Sequence, residues 1–325
     1  MITISNLYPL KFEPILKEKV WGGNKLKEIF NKDADEYIGE SWEISGVDES
    51  VSIVVNGSLK GKSLNWLLEA YKEKLVGAAV YKNYRNTFPL LFKFIDARED
   101  LSVQVHPDDI LAKERHDSLG KTEMWYILDV EKDSRLIIGF NGEIDEAKYL
   151  KALSEKKVTE VLKTESVKKG DAFILKPGTV HAIGAGILLA EIQQTSDNTY
   201  RIYDWDRPDI NGEMRELHTD LAIDAIDFSS ENSRQTYKTK MNTPLEIGVT
   251  EFFTVNKLDL SKDYLRDLKS IPSFTVYMCL EGEAAIETNG YTETISKGET
   301  ILIPAQLPEI KFITNSVSFL EVYIA

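Results

Sequence analysis

Residues 101–106 read LSVQVH. In an extended chain their alternation sends Leu101, Val103 and Val105 to one face and Ser102, Gln104 and His106 to the other. Short runs of the same kind, rich in Val, Ile, Phe and Tyr and broken by Gly, Pro and Asn, fill residues 86–140, 165–205 and 245–325. That spacing predicts an antiparallel sandwich or barrel. Helical periodicity is confined to two stretches. Residues 63–80 place Leu64, Leu67, Leu68, Tyr71 and Leu75 on one stripe behind Ser63 as N-cap, and about 145–163 places Tyr149, Leu150, Leu153, Val158, Val161 and Leu162 on another while lysines fill the opposite face. The chain is therefore expected to be mainly β with helical additions.

A weak internal repeat supports two copies of one β unit. KKGDAFILKPGTVHAI (168–183) aligns with KGETILIPAQLPEI (297–310): a Lys-Gly-acid turn, a strand, then a proline-led turn. The second copy lacks the histidine, so it is expected to be structural. With 325 residues the chain is long enough for about two domains. The polar, aperiodic stretch 229–244 is the expected linker, dividing a domain at 1–235 from one at 236–325.

Composition narrows the function. The formal net charge is −14 and no Lys/Arg block interrupts it, so nucleic acid and anionic membranes are not expected partners. A small anionic ligand would have to be met by cations gathered in one pocket. The lone cysteine, Cys279, excludes an intramolecular disulfide and a cysteine-based metal cage, and with no leader-like N-terminus and no long apolar segment a cytoplasmic protein is expected. No glycine-rich phosphate loop follows a strand; the Gly22-Gly23 pair, expected in a loop after Trp21, matches neither nucleotide-binding pattern.

Chemistry-bearing residues cluster in three separate strands. Gln104 and His106 share a face, and His181 follows the turn PGT (177–179) in a run of small and apolar residues. In KTEMWY (121–126), Lys121, Glu123 and Trp125 alternate with Thr122, Met124 and Tyr126, and a carboxylate between Met and Trp is costly unless compensated. Two histidines, a glutamate and an amide make a plausible nitrogen and oxygen site for a divalent metal; any one of these residues alone reads more readily as a satisfied polar group on an exposed sheet face. Lys93 interrupts the apolar FPLLFKFI (88–95), and Arg201 lies in TYRIYDWDR (199–207), whose alternation of aromatic and charged residues suits a polar cleft. For both, a salt bridge or a snorkelling edge residue is the plain structural alternative. His116 and His218 sit in charged segments and are given no metal role, and Asp108 and Asp109 are expected to cap the helix that follows them.

These motifs carry a resemblance. KVWGG (19–23), GESWEIS (39–45), FPLLFKFIDA (88–97), DLSVQVHPDD (100–109), GKTEMWYIL (120–128), KPGTVHAIGAG (176–186), EIQQTSDNTYR (191–201) and IYDWDR (202–207) resemble class I mannose-6-phosphate isomerases of the short bacterial type, zinc-dependent cupins. The resemblance covers roughly residues 1–228, and beyond them it is to a degenerate second cupin. It implies two jelly-roll barrels, the second degenerate, and one Zn2+ held by His106, Glu123 and His181, with Gln104 a ligand in longer relatives. It further implies an active-site role for Arg201 and a substrate pocket lined by Lys93, Lys121 and Asp197, of which Lys93, Lys121 and Asp197 are candidate general bases. The chain departs from the family pattern in having SDNTYR for SDTTYR, which keeps Asp197 and Arg201 in place. The implied reaction interconverts mannose 6-phosphate and fructose 6-phosphate through a cis-enediolate. Other readings of the same donors are a non-haem iron oxygenase, whose facial triad is also two histidines and a carboxylate, and a non-catalytic sugar-binding cupin.

Overall fold

A computed structural model describes residues 6–229 and 232–325. The chain is mainly β, in three antiparallel sheets. In the first half a seven-stranded sheet holds strands Leu90–Ala97, Glu123–Val130 and Ile187–Gln194 at its centre, and a five-stranded sheet holds Val103–Val105 between Tyr200–Tyr203 and His181–Ile183. The central strands of the seven-stranded sheet are buried along most of their length, which is why FPLLFKFI and ILLAEIQQ read as nearly continuous apolar runs. Trp125, Ile127, Leu136, Ile138, Phe173 and Leu189 fill part of the space between the sheets.

The C-terminal half is a nine-stranded sheet folded over a second apolar core. Its corner is the strand Thr275–Thr288, whose first residues pair with Thr300–Ile303 and Val317–Tyr323 and whose last pair with Tyr291–Ser296 and Glu309–Ile313. The sequence repeat is visible in both halves: Ala172–Leu175 and Thr300–Ile303 each follow a turn whose glycine, Gly170 or Gly298, has positive φ. Inside the C-terminal sheet no metal-ligating group forms among the described residues. Glu321 is instead fully enclosed and satisfied by Arg266 at 2.7 and 2.8 Å, Tyr277 Oη at 2.7 Å and Asn256 Nδ2 at 2.8 Å.

Several local expectations are corrected. Residues 63–80 do not form one surface helix: Ser63 caps as expected, accepting from Trp66 N, but the run breaks into Leu64–Tyr71, Glu73–Val76 and Ala78–Tyr84. Lys72 and Gly77 take positive φ, and Gly77 lies so close to the C-terminal half that a Cβ there would stand 2.1 Å from the Pro272 carbonyl oxygen. In 145–163 the helix stops at Ser154, Lys156 turns left-handed, and a short 3-10 turn leads into the strand Leu162–Ser166. Gly22 and Gly23 are not in a loop but end the strand Ile15–Gly23, where a Cβ on Gly22 would meet the Tyr37 carbonyl at 2.2 Å. The described part of 229–244 is strapped to the first sheet: Arg234 and Gln235 pair with Phe173 and Ala172, and Tyr237 Oη donates to the Gly170 carbonyl.

The two halves share one core. Its largest apolar cluster joins Leu10, Phe88, Phe92 and Met124 to Val255, Phe274, Met278 and Leu302, with the Phe88 and Phe274 rings 4.7 Å apart. The strand Leu10–Lys11 pairs with Leu302 and Ile301, so the beginning of the chain is woven into the C-terminal sheet. Phe88→Ala should cost about 3–5 kcal/mol, and in urea the near-UV and far-UV signals of the whole chain should be lost in one shared, shifted transition. Two resolved transitions, only one of them shifted, would show that the halves unfold independently.

Candidate active site

Register brings the site together. In the five-stranded sheet Gln104 pairs with Arg201 on one side and His181 on the other, forming one cross-strand row. In the seven-stranded sheet Glu191 pairs with both Trp125 and Lys93, Lys93 pairs with Trp42, and Glu123 pairs with Gln193. Because paired residues share a face, a period of two in each strand is enough to gather these side chains.

His106, Glu123 and His181 are buried, and one ligand atom from each lies within 4.8 Å of the others. His106 Nε2 is 3.5 Å from Glu123 Oε1, and His181 Nε2 is 3.6 Å from Glu123 Oε2. The opposite ring nitrogens face backbone carbonyls: His106 Nδ1 lies 2.9 Å from Asn198 O and His181 Nδ1 2.8 Å from Thr179 O. A carbonyl only accepts, so Nδ1 carries the proton and each Nε2 lone pair faces the carboxylate. Burial, with help from the Lys121 ammonium, pushes the pKa of His106 well below the usual histidine value, and burial lowers that of His181 too, so both rings are neutral. Burial works against charge on Glu123, but the Lys121 ammonium, through its charge and its hydrogen bond, outweighs it and holds the pKa below the ordinary value. Lys121 Nζ donates to Glu123 Oε1, whereas Oε2 is buried without a hydrogen-bond partner. Two neutral imidazoles aimed at a carboxylate with a bare oxygen is a donor set that fits a divalent metal. The Gln104 amide is 3.3 Å from His181 Nε2, adjoining that set.

A cavity of about 270 Å3 opens beside these donors and is lined by Gln104, Lys121, Lys93, Asp197 and Arg201, the residues singled out from the sequence around the metal group. His116 instead meets Tyr200 Oη at 2.7 Å, and His218 Nδ1 accepts from Arg201 N at 3.1 Å. Asp108 caps its helix as expected, accepting from Leu111 N, while Asp109 accepts from Gly120 N and Gln194 Nε2. The departure at Asn198 is harmless because His106 uses its backbone carbonyl, and the side chain turns to Ser196 Oγ.

Four charged lining residues escaped the sequence reading: Lys19, Glu40, Glu191 and Arg215. Lys93 Nζ is 3.0 Å from Glu191 Oε2 and 4.0 Å from Glu40 Oε2, and Trp125 Nε1 donates to Glu191 Oε1 at 2.9 Å. Glu191 had a signal, since a carboxylate inside ILLAEIQQ is as anomalous as the lysine inside FPLLFKFI. Burial disfavours charge on Lys93, but Glu191, Glu40 and Asp197 outweigh it and raise its pKa above the ordinary lysine value. For Glu40, burial alone would raise the pKa; Lys93, Lys19 and the Trp42 N–H prevail and hold it at about 2 against an ordinary 4.5.

That depression links the site to acid stability. The contribution of Glu40 is present in full above pH 4.5 and is lost as pH falls towards 2. Glu40→Gln should cost up to about 3 kcal/mol at pH 7, and its deficit in urea midpoint relative to the parent should shrink steadily between pH 4.5 and 2. A deficit independent of pH would show that the Glu40 charge does not stabilise the fold.

Residues 9–137 match the phosphomannose isomerase type I catalytic domain and residues 244–323 the mannose-6-phosphate isomerase cupin domain. Mannose-6-phosphate isomerase ManA of Bacillus subtilis is 38% identical over 310 residues, covering 93% of this chain and 95% of that protein. The mannose-6-phosphate isomerase of Streptococcus mutans is 33% identical over 308 residues, 94% of this chain and 95% of its own length. The crystal structure of the mannose 6-phosphate isomerase from Bacillus subtilis superposes with a TM-score of 0.89 at 32% identity, over 98% of this chain and 100% of that one. A crystal structure of a mutant of phosphomannose isomerase from Salmonella typhimurium, at 17% identity and a TM-score of 0.78, shares the fold over 98% of this chain and 100% of its own. Fold, donor set and sequence agree: this chain belongs to the type I mannose-6-phosphate isomerase family.

Proposed function

We propose that this chain interconverts mannose 6-phosphate and fructose 6-phosphate through a cis-enediolate, with one Zn2+ held by His106, Glu123 and His181, and with Gln104 a further candidate ligand beside them. The observation that carries the reading is the cavity beside the donors. Five cationic side chains, Lys19, Lys93, Lys121, Arg201 and Arg215, converge there against three carboxylates, in a protein whose net charge is −14. A cationic pocket in an acidic protein suits a small anion.

A divalent metal held by His106, Glu123 and His181 would supply Lewis acidity to offset negative charge as it develops on the sugar. The remaining work falls to the chain's own side chains. Arg201 donates through Nη1 to the Glu216 carbonyl at 2.8 Å, and its buried Nε has no hydrogen-bond partner, so the guanidinium is poised for an anionic group of the substrate. Lys121, fixed against Glu123 beside the donors, offsets the developing oxyanion. Lys93 is kept protonated by Glu191 and Glu40, which makes it a poor base and a good partner for a sugar hydroxyl. Asp197, exposed at the cavity on the turn that Gln193 Nε2 binds through the carbonyls of Gln194 and Ser196, is the carboxylate best placed to carry the proton between C2 and C1. The buried lone Cys279 agrees with a cytoplasmic setting, and no helix among the described residues is long and apolar enough to cross a membrane.

A coupled assay of fructose 6-phosphate formation from mannose 6-phosphate should lose its signal on chelation and regain it with zinc. Absence of turnover with zinc restored would remove the isomerase reading; oxygen uptake with iron would install the oxygenase in its place. His106→Ala and His181→Ala should each lose bound metal and activity together, and retention of stoichiometric metal in either would overturn the ligand assignment. Arg201→Ala should keep its metal and lose turnover by a factor of roughly a hundred or more. Unchanged turnover there would leave Arg201 with a structural role alone.

A further inference from the structure

A second cavity, of about 440 Å3, lies where the two halves meet, on the reverse face of the metal donors. Its walls come from residues next to those donors in sequence. Thr122 alternates with Lys121 and Glu123 and so faces away from them, Asp108 and Asp109 come shortly after His106, and Lys176 and Pro177 lead into Thr179, whose carbonyl orients His181. The C-terminal half contributes residues 249–252. They can lie this close because Gly248 has no side chain; a Cβ there would stand 2.5 Å from Met124 Sδ. Their turn is fixed in advance, with Thr250 Oγ1 accepting from Phe252 N at 3.1 Å and from Phe253 N at 2.9 Å. So is the opposite wall, where Asp109 Oδ1 accepts from Gly120 N at 2.6 Å and from Gln194 Nε2 at 3.0 Å, and Gln194 Oε1 accepts from Thr122 N at 2.9 Å.

The lining says what would fit. Ile110, Ile174, Pro177, Val249 and Phe252 make an apolar wall, with Ile110 and Val249 exposed at its rim. Beside it stand three carboxylates, Asp108, Asp109 and Glu251, and one cation, Lys176. Asp108 is committed to capping its helix, whereas Asp109 and Glu251, one from each half, are exposed and bear on the same neighbour: after burial, their charges raise the pKa of Tyr84. The charge balance is the inverse of that in the active-site cavity, so a sugar phosphate is repelled here and a cation is drawn in. A concave space of this size, mostly apolar with a few placed charges, has the makeup of a small-molecule site. We propose that this cavity is a second ligand site, taking a small organic cation with an apolar body, and that its occupant acts on the metal donors through Asp109, Gln194 and Thr122. An ammonium that draws on the Asp109 carboxylate loosens its hold on Gly120 N and Gln194 Nε2, the contacts that fix the approach to strand Glu123–Val130. The site goes beyond the isomerase reading and does not depend on it.

Calorimetric titration of the metal-loaded full chain tests this with 2-phenylethylamine as the cation and 2-phenylethanol as its neutral analogue. The amine should bind at a single site, about tenfold or more tighter than the alcohol. Glu251→Gln should weaken the amine about tenfold, and Val249→Lys, which sets an ammonium at the exposed rim, should abolish its binding; melting temperatures report that both variants fold. In the mannose 6-phosphate assay, saturating amine should change kcat by about threefold or more in the parent and leave Val249→Lys unaffected. Equal binding of amine and alcohol would overturn the proposal, as would amine binding that both variants retain, or turnover indifferent to the bound amine. Simple competition with mannose 6-phosphate would place the amine in the active-site cavity and overturn it too. A parent that sediments as a dimer and dissociates on Val249→Lys would give the cavity to a second copy of the chain instead. A parent without turnover would sink the isomerase reading alone, and the coupling is then read from zinc affinity, which the bound amine should shift by about threefold or more; an unshifted affinity would overturn it.

Discussion

A carboxylate closed off from water has to be answered by charge or by hydrogen bonds, and Glu123 is the one around which the first barrel is arranged. Lys121 answers one of its oxygens, and two neutral imidazoles approach, His106 towards that same Oε1 and His181 towards the bare Oε2, without quenching it. The backbone carbonyls of Asn198 and Thr179 make this possible, because they dictate which nitrogen of each ring keeps its proton. Outward from that centre the charges pair in turn: Lys93 with Glu191 and Glu40, Glu40 with Lys19, Arg215 with Asp204. Arg201 stands at the edge of the pattern, hydrogen-bonded to a carbonyl and, among the described residues, in salt-bridge contact with no carboxylate.

Much of this was legible because a strand's side chains alternate by a local rule. LSVQVH put Gln104 and His106 on one face, KTEMWY put Lys121 beside Glu123, and both hold in the structure. What could not be read is what depends on distant partners. Residues 63–80 have helical spacing, yet the run breaks at Lys72 and again at Gly77, and the second break lies against Pro272, far along the chain. Glu191 stood in a quoted motif, but only the register of its strand with Leu90–Ala97 shows that it faces Lys93. Arg215 gave no signal at all, since an exposed, charged stretch such as MRELHTD reads as surface until a hairpin folds it over a cavity.

The second barrel shows the same architecture relieved of chemistry. Where the first encloses a carboxylate with an oxygen to spare, the second encloses Glu321 and satisfies it completely through Arg266, Tyr277 and Asn256. A fully satisfied network specifies packing and offers nothing to a ligand. Its role is tied to the first barrel by the apolar cluster that both halves line, so the degenerate repeat completes the core next to the helical segments as well as filling its own.

The pairing of Leu10–Lys11 with Ile301 and Leu302 has a consequence for how the protein is made. The ribosome releases residues 10 and 11 long before their strand partners exist, so the edge they complete stays open until translation has nearly finished. The apolar residues beside them, Leu7, Tyr8 and Phe12, wait with it, although they belong to the shared core. Native contacts this far apart in sequence slow folding and lengthen the time during which apolar surface is exposed. The fold thus ties the closing of its core to the last strands made, and a ribosome stalled before residue 300 would carry a chain that is long, partly ordered and unable to close.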